Sequence, residues 1–348
     1  MSVKYIPVQW NPNKWIYDAV LIAAAGTFLW LFISYAPGQL DHERAITGIT
    51  VRMRAFGLCA FLMLTVILCI GPLARLDPRF APLLYNRRHF GVLTCFVALS
   101  HLASVLDWYY AFAATSKLEG LLIANQSYGQ IIGFPFEAFG IFALLVLLVM
   151  AATSHDFWLK FLGPRLWKRI HLLIYPAYAA VVAHVALGAL QDQTEPQLAI
   201  VVLVAASAVG GLHLLAWRQD RHVPSGAHHG TLVLVGEAEE IEDGRARIVS
   251  LKGGERVAVF RDGDCFSAIS NACAHQNGPL GEGRIIDGCV TCPWHGFQYR
   301  VQDGRSPDPF TEKVPTYGLK LVGTRLFLDP VANPPGTPVD PVKLEAPT

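Results

Sequence analysis

Two short segments near the end of the chain combine cysteine with histidine. The first has the form Cys-x-His, with Cys273 and His275, and the second has the form Cys-x-x-His, with Cys292 and His295. Two thiolates and two imidazoles can hold tetrahedral zinc, although zinc sites more often use closely spaced pairs of cysteines. One cysteine and one histidine in each segment also suit a [2Fe–2S] cluster with two cysteines on one iron and two histidines on the other. The spacing therefore predicts a metal or iron-sulfur site.

The residues around the second segment favour the iron-sulfur cluster over zinc. The run CPWHG and the tyrosine three residues after it resemble the Rieske family. This resemblance implies that the four cysteines and histidines are the ligands of a [2Fe–2S] cluster.

The same resemblance places the chain among the Rieske-type ferredoxins. Quinol-oxidising Rieske proteins add a cysteine to each loop and join the two in a disulfide, whereas this chain has Gly278 and Trp294 at those positions. Phe297 stands where a hydroxyl donor to a cluster sulfur is often found. Since fewer hydrogen bonds to sulfur stabilise the reduced cluster less, we expect a potential near the low end of the Rieske range, roughly −150 mV.

The first two-thirds of the chain has the composition of a membrane protein. Of its 348 residues, 53% are hydrophobic and only 16% are charged, and the mean hydropathy of the chain is +0.37. Six apolar runs have about the 20 residues that a helix needs to cross hydrocarbon. We expect no removable signal peptide, because the start lacks a short apolar core with a cleavage site. The predicted spans are residues 17–36, 55–73, 89–110, 134–153, 169–190 and 197–217.

The patterns along the chain predict a multi-domain protein, with a six-helix transmembrane bundle followed by an all-β Rieske domain. A polar segment with Pro and Gly follows the last span, and after it short runs such as TLVLVG, RVAVF and CFSAIS alternate with turns. The predicted parts are an N-terminus over 1–16, a membrane domain over 17–217, a linker over 218–229, a Rieske domain over 230–329 and a Pro-rich extended tail over 330–348.

The distribution of lysine and arginine predicts the orientation in the membrane. One side of the predicted bundle carries twelve basic residues near the spans and the other side carries four. Since the more basic side faces the cytoplasm, we expect a multi-pass protein of a bacterial inner membrane with both termini in the cytoplasm. The net charge of +1, without long basic runs, argues against a nucleic-acid partner.

Four histidines lie within the predicted spans, and imidazoles inside a bilayer are costly unless they have a function. His89 and His101 lie in the third span, and His171 and His184 lie in the fifth. Both spans cross in the same direction, so His89 is level with His171 and His101 with His184. Their separation along each helix is about 18–20 Å, which fits two bis-histidine haems, one near each face. Interhelical hydrogen bonding is the alternative for each histidine.

Residues 50–190 resemble the ferric-reductase-like transmembrane family, and within it the haem-binding membrane subunits of bacterial methionine sulfoxide reductase systems. The matching runs are CIGPLARL, NRRHFGVL, ALSHLASVLDWY and WKRIHLLIYPAYAAVVAH. By this resemblance His101, His171 and His184 fall on haem-ligand positions, whereas His89 falls on a variable one and depends on the depth argument alone.

The arginines at the start of the third span have two possible roles. Arg87 and Arg88 could pair with haem propionates or anchor the chain at the cytoplasmic face. His213, His155 and His42 have no evident partner, and we expect them to be structural.

Together these patterns predict transmembrane electron transfer between a cytoplasmic Rieske cluster and one or two b-type haems. Other proteins of this fold carry a flavin and nicotinamide domain on that side, but the sequence shows no Gly-rich nucleotide loop after a strand. We expect a ferredoxin-reductase-like donor in the cytosol, and a quinone or an extracytoplasmic acceptor. The alternatives are a ferric or other metal reductase, a quinol-linked donor to a cytosolic enzyme, and a redox sensor.

Overall fold

The structure is a computed structural model in which two compact units are distinguished. One is helical and lies within residues 10–215, apart from 76–85, and the other includes residues 76–85 and the part of the chain from 216 that contains the strands. The structure describes residues 12–39, 48–84, 86–112, 116–123, 125–131, 134–191, 196–221, 228–229, 231–251, 254–275, 277–294 and 296–344.

The helical unit contains five of the six predicted spans as long apolar helical segments. Five helical segments within the described residues are long and apolar enough to cross a membrane, which confirms a multi-pass membrane protein. The helices are α1 (Pro12–Gln39), α2 (Gly48–Leu76), α3 (Arg87–Phe112), α4 (Lys117–Ile123), α5 (Glu137–Ala152), α6 (Asp156–Leu172), α7 (Ile174–Leu187) and α8 (Gln197–Arg221).

The fourth and fifth predicted spans differ most from the structure. α5 has 16 residues, a rise of about 24 Å against the roughly 30 Å of a hydrocarbon core, so the count of six spans is not confirmed. The fifth span is divided at Leu173 between α6 and α7. Pro176, in the first turn of α7, has no backbone N–H to continue the helical hydrogen bonds from α6.

The core of the helical unit lies along α2. Its buried side chains include Phe61, Leu64 and Leu68, and the ring of Phe61 stacks on Tyr178 of α7 at 5.9 Å. The hydroxyls of Thr65 and Tyr178 are 3.0 Å apart, so a polar contact inside the core is satisfied. α2 therefore packs against α7, the helix that carries His184.

The second unit is a β-domain of antiparallel strands. Its sheets have the orders β1-β2-β11-β10, β12-β5-β4-β3 with β9 beside β5, and β6-β7-β8. The strands are β1 (His228–His229), β2 (Leu232–Glu237), β3 (Ala246–Ser250), β4 (Arg256–Asp262), β5 (Cys265–Ser270), β6 (Arg284–Ile286), β7 (Cys289–Thr291), β8 (Gln298–Arg300), β9 (Thr316–Tyr317), β10 (Leu319–Val322), β11 (Arg325–Leu328) and β12 (Val342–Lys343).

The segment predicted as a Pro-rich extended tail is part of the β-domain as far as the structure describes it. Val342–Lys343 pairs with β5, the N–H of Val339 donates to the carbonyl of Gln302, and Thr316 Oγ1 donates to the carbonyl of Thr337. These bonds satisfy backbone groups at the sheet edge. The β-domain therefore extends beyond residue 329, where we predicted its end.

Candidate functional site

The two segments that carry the predicted cluster ligands form loops of the same geometry. Cys273 follows β5, and its N–H donates to the carbonyl of Gly278 at 2.9 Å, while Cys292 follows β7 and donates to the carbonyl of Phe297 at 2.8 Å. Four residues after each cysteine the backbone is left-handed, at Asn277 (φ 57°) and at Gly296 (φ 70°). Each loop therefore turns back on its own cysteine and holds that residue in a fixed place.

The two cysteines meet in the core of the β-domain. Both are buried and belong to the same cluster of packed side chains. Although burial opposes ionisation, hydrogen bonds from the Cys292 thiol, the Tyr299 hydroxyl and the His275 backbone lower the pKa of Cys273 to about 6. A lowered pKa favours the thiolate, which is the form in which cysteine binds iron or zinc.

Tyr299 is fully buried, and its hydroxyl lies 3.3 Å from Cys273 Sγ. Burial and the neighbouring Cys273 thiolate raise the pKa of Tyr299 above its usual range, so the hydroxyl stays protonated and can donate to sulfur. The chain thus keeps one hydrogen bond to the sulfur of a candidate ligand, although Phe297 supplies none.

The structure describes one of the two predicted histidine ligands of the cluster, His275. Both ring nitrogens of His275 are buried, and its ring stacks on Phe297 with centroids 4.8 Å apart. His295 lies outside the described residues, and within them no group of three or more metal-binding side chains is found.

The structure leaves little room for a side chain at Gly278, one of the two positions of the bracing disulfide in other Rieske proteins. A Cβ placed at Gly278 would lie 2.6 Å from Cys292 Sγ and 3.2 Å from ring atoms of Trp294. A cysteine therefore does not fit at Gly278 in this loop, and the indole packs where the bridge would be. All seven cysteines are free, and Cys265 and Cys289 begin strands and are half-buried.

In the helical unit, the structure brings His101 of α3 and His184 of α7 together. Their ring centroids are 6.3 Å apart, with the ring planes at 82°. Two nitrogens on opposite sides of one metal lie about 4 Å apart, since each bond is roughly 2.0 Å, and the ring centres lie about one ring radius further out on each side. The separation therefore fits two axial ligands of one iron.

The other nitrogen of each ring is held by a backbone carbonyl. His101 Nδ1 lies 2.9 Å from the carbonyl oxygen of Met53, and His184 Nδ1 lies 3.0 Å from that of Phe136. Since a carbonyl only accepts, each Nδ1 carries the proton and each Nε2 is left unprotonated. This is the tautomer that a haem iron requires of both ligands.

Two glycines that the sequence analysis did not single out make room for these rings. A Cβ at Gly57 of α2 would lie 2.9 Å from His101 Nδ1, and a Cβ at Gly140 of α5 would lie 2.9 Å from His184 Nδ1. Real Cβ atoms essentially never approach so closely, because ordinary contacts between carbon atoms lie at about 3.5–4.0 Å. Each ring is thus seated against a helix backbone that only glycine leaves open.

The two histidines predicted for the inner haem have separate partners. His171 Nδ1 lies 3.0 Å from the carbonyl of Trp167, and its ring stacks on the Trp167 indole at 3.8 Å. His89 Nδ1 lies 2.7 Å from a carboxylate oxygen of Asp18 on α1. The pairing of His89 with His171 across one haem stays a prediction.

The remaining predicted residues are two arginines and three histidines. Arg87 and Arg88 are the first residues of α3. A Cβ added at Gly71 of α2 would lie 3.6 Å from Arg87 Nη1, so the guanidinium of Arg87 lies close to the backbone of α2. His213, predicted as structural, bonds Tyr175 Oη through Nε2 at 3.1 Å. His155 caps α6 by accepting from the N–H of Phe157, and His42 lies outside the described residues.

Comparison with protein families separates the same two parts of the chain. Residues 56–182 match the ferric reductase like transmembrane component, and residues 231–318 match the Rieske [2Fe-2S] domain. The Rieske match supports a [2Fe–2S] cluster rather than zinc. Fold and site together define a multi-pass membrane protein with a ferric-reductase-like unit and a Rieske domain.

Individual relatives of the membrane part carry the name protein-methionine-sulfoxide reductase heme-binding subunit MsrQ. The one from Xanthomonas oryzae pv. oryzae (strain MAFF 311018) is 33% identical over 47% of this chain and 65% of its own length. The one from Xanthomonas euvesicatoria pv. vesicatoria (strain 85-10) is 30% identical over 59% of this chain and 84% of its own length. The chain therefore belongs to this family of haem-binding subunits, with a Rieske domain in addition.

Among solved structures, the ferredoxin of carbazole 1,9a-dioxygenase from Nocardioides aromaticivorans IC177 is similar to part of the chain. It is 28% identical, covers 29% of this chain and all of its own, and has a TM-score of 0.28. The chain spans just under two thirds of the first curated relatives that it matches, 65% of their length.

Proposed function

We propose that this protein transfers electrons across a bacterial inner membrane, between a cytoplasmic Rieske cluster and b-type haems, and delivers them to an extracytoplasmic acceptor or a quinone. The observation that carries the proposal is the facing pair His101 and His184, with both Nδ1 atoms held by carbonyls, in a chain that also has a Rieske domain. When bound, the cluster and the haems supply one-electron chemistry.

The side chains hold these groups and exclude water. Cys273, His275, Cys292 and His295 are the proposed cluster ligands, and Tyr299 donates a hydrogen bond to sulfur. We propose that His101 and His184 hold the outer haem and that His89 and His171 hold the inner one. Arg87 and Arg88 are placed at the first turn of α3, where guanidinium groups can pair with propionates.

The proposed topology keeps six crossings and both termini in the cytoplasm. We include α5 as the fourth crossing, because a short helix can span by thinning the bilayer or by flanking residues that reach the interface. The basic residues concentrated on one side of the spans support this orientation. A ferredoxin-reductase-like donor and outward flow are part of the proposal.

The test is electron transfer within the purified full-length protein. We expect NADH with a ferredoxin reductase to reduce the haems, observed as the growth of their α-band. The variant C273S is expected to bind haem and to lose this reduction, because one sulfur ligand of the cluster is missing. Equal haem reduction in C273S would show that the cluster is not on the path. Haem content by pyridine haemochrome, relative to acid-labile sulfide, gives the number of haems.

A further inference from the structure

A carboxylate lies inside the first membrane helix, where an ionisable group is costly unless it is paired. Asp18 belongs to the helical segment Lys14–Tyr35 that is long enough to span the bilayer. Its Oδ2 lies 2.7 Å from His89 Nδ1, and its Oδ1 accepts from Asn86 Nδ2 at 2.6 Å. The Asp18 side chain is 18% exposed and the His89 side chain 35%. The carboxylate is therefore held at both oxygens and directed at the imidazole.

His89 differs in this respect from the other three candidate ligands. The Nδ1 atoms of His101, His171 and His184 each face a neutral backbone carbonyl. Among these four, His89 is the one whose Nδ1 is hydrogen-bonded to a carboxylate, whereas the buried Glu137 acts on His184 only from a distance. When an imidazole binds a metal, a carboxylate that accepts its Nδ1–H fixes the tautomer and the ring orientation and makes the imidazole a more basic ligand.

We propose that Asp18 is a positioning residue for the inner haem, which orients His89 and lowers the reduction potential of that haem relative to the outer one. This inference rests on the proposed function, and on His89 as an iron ligand. The ferric state carries one more positive charge than the ferrous state, so a more basic ligand and a nearby negative charge both stabilise the ferric state.

The asymmetry bears on the direction of electron flow. If the inner haem has the lower potential, an electron moves from the inner to the outer haem with a gain in free energy, because each 59 mV is tenfold in a one-electron equilibrium. The Asp18–His89 pair thus contributes in favour of outward flow, and it acts against the positive charges of Arg87 and Arg88 near His171 and the negative charge of Glu137 near His184. The sequence alone could not assign this direction.

The test uses D18N in the full-length protein, because asparagine keeps the shape of the side chain and removes its charge. In a spectroscopic redox titration of the wild type we expect two haem midpoints, of which the lower belongs to the inner haem. In D18N we expect the lower midpoint to rise by the equivalent of about tenfold in the reduction equilibrium, 59 mV for one electron. The upper midpoint and the haem content are expected to stay unchanged.

Two further variants control this experiment. D107N removes a carboxylate of the same helical unit that pairs with Lys117 at 2.9 Å rather than with a histidine, and it should leave the lower midpoint unchanged. D18E keeps the charge and is expected to retain the wild-type midpoints. If D18N loses haem, D18E should retain it, and a D18E protein that loses haem equally would count against the carboxylate's role.

The failure of this inference can be distinguished from failure of the proposed function. Unchanged midpoints in D18N would overturn the role of Asp18, and so would a single haem per [2Fe–2S] cluster in the wild type. In both cases haem reduction through the cluster could still be intact. A wild-type protein without haem would instead refute the electron-transfer function itself.

Discussion

Replacing Gly140 by alanine tests whether the His101–His184 pair is a haem site. The new methyl group would lie 2.9 Å from His184 Nδ1 and Cε1, whereas ordinary carbon contacts are at about 3.5–4.0 Å. The ring must therefore move by roughly 0.6 Å or more. It would then lose the geometry of its 3.0 Å bond to the carbonyl of Phe136.

Such a disturbance next to a metal ligand typically costs about 10–100-fold in metal affinity, or about 1.4–2.8 kcal/mol. We expect G140A to release its outer haem faster by this factor. Transfer of haem to apomyoglobin measures the release rate, and acid-labile sulfide confirms that the Rieske cluster is intact. G57A, which intrudes on His101 in the same way, should behave similarly.

The matched control is G210A, in the interior of α8. No heavy atom lies within 4 Å of a Cβ at Gly210, so the change should leave haem release unaffected. Equal haem release in G140A and G210A, at the wild-type rate, would refute the assignment of His184 as a haem ligand held by this helix contact.

Three changes in the β-domain follow from its contacts. G278A should lower the cluster content, because its Cβ would lie 2.6 Å from a cysteine sulfur; iron and acid-labile sulfide measure this. Y299F should lower the cluster potential by about 20–60 mV, since one hydrogen bond of about 0.5–1.5 kcal/mol to Cys273 Sγ is lost; a titration followed by EPR detects the shift. Y317F removes the 2.7 Å bond from the Tyr317 hydroxyl to Glu255, and should destabilise the domain by about 1–2 kcal/mol, seen in thermal bleaching of the cluster.

Each of these three changes has its own control or its own contradicting result. G318A, where the nearest atom to a new Cβ is 3.5 Å away, should keep the cluster, and equal cluster loss in both glycine variants would contradict the steric argument. An unchanged potential in Y299F would show that the tyrosine does not donate to a sulfur ligand. Y317F should leave the potential unchanged, because Tyr317 packs in the other core cluster of the β-domain.

The residues that carry chemistry could be predicted from sequence because their types are unusual in their surroundings. Cysteine paired with histidine at short spacing has few meanings, and a histidine inside an apolar run is costly unless it is used. The prediction that His101 and His184 lie at the same depth in the membrane came from the direction of the two spans and the rise per residue of a helix. The structure places these two rings 6.3 Å apart.

The residues that position the ligands could not be predicted in this way. Gly57, Gly140 and Asp18 matter because of which helix faces which, and a pattern along one helix does not contain that information. Gly140 is one of many small residues in an apolar run, and only the approach of α7 to α5 gives it a function. The short length of α5 and the break before α7 likewise depend on packing and on one proline rather than on hydropathy.

The backbone conformation of the two cluster loops could have been predicted in part from the sequence. The fourth residue after each cysteine must adopt a left-handed backbone, and the sequence has Asn277 in one loop and Gly296 in the other, the two residue types that accept this conformation most readily. The separate motifs Cys-x-His and Cys-x-x-His therefore share one backbone frame. They differ in the sequence position of the histidine, which is two residues after Cys273 in one motif and three residues after Cys292 in the other. A frame fixed by hydrogen bonds to each cysteine can hold both sulfurs in place without a disulfide, which accounts for Gly278 and Trp294 at the positions where other members of the Rieske family are bridged.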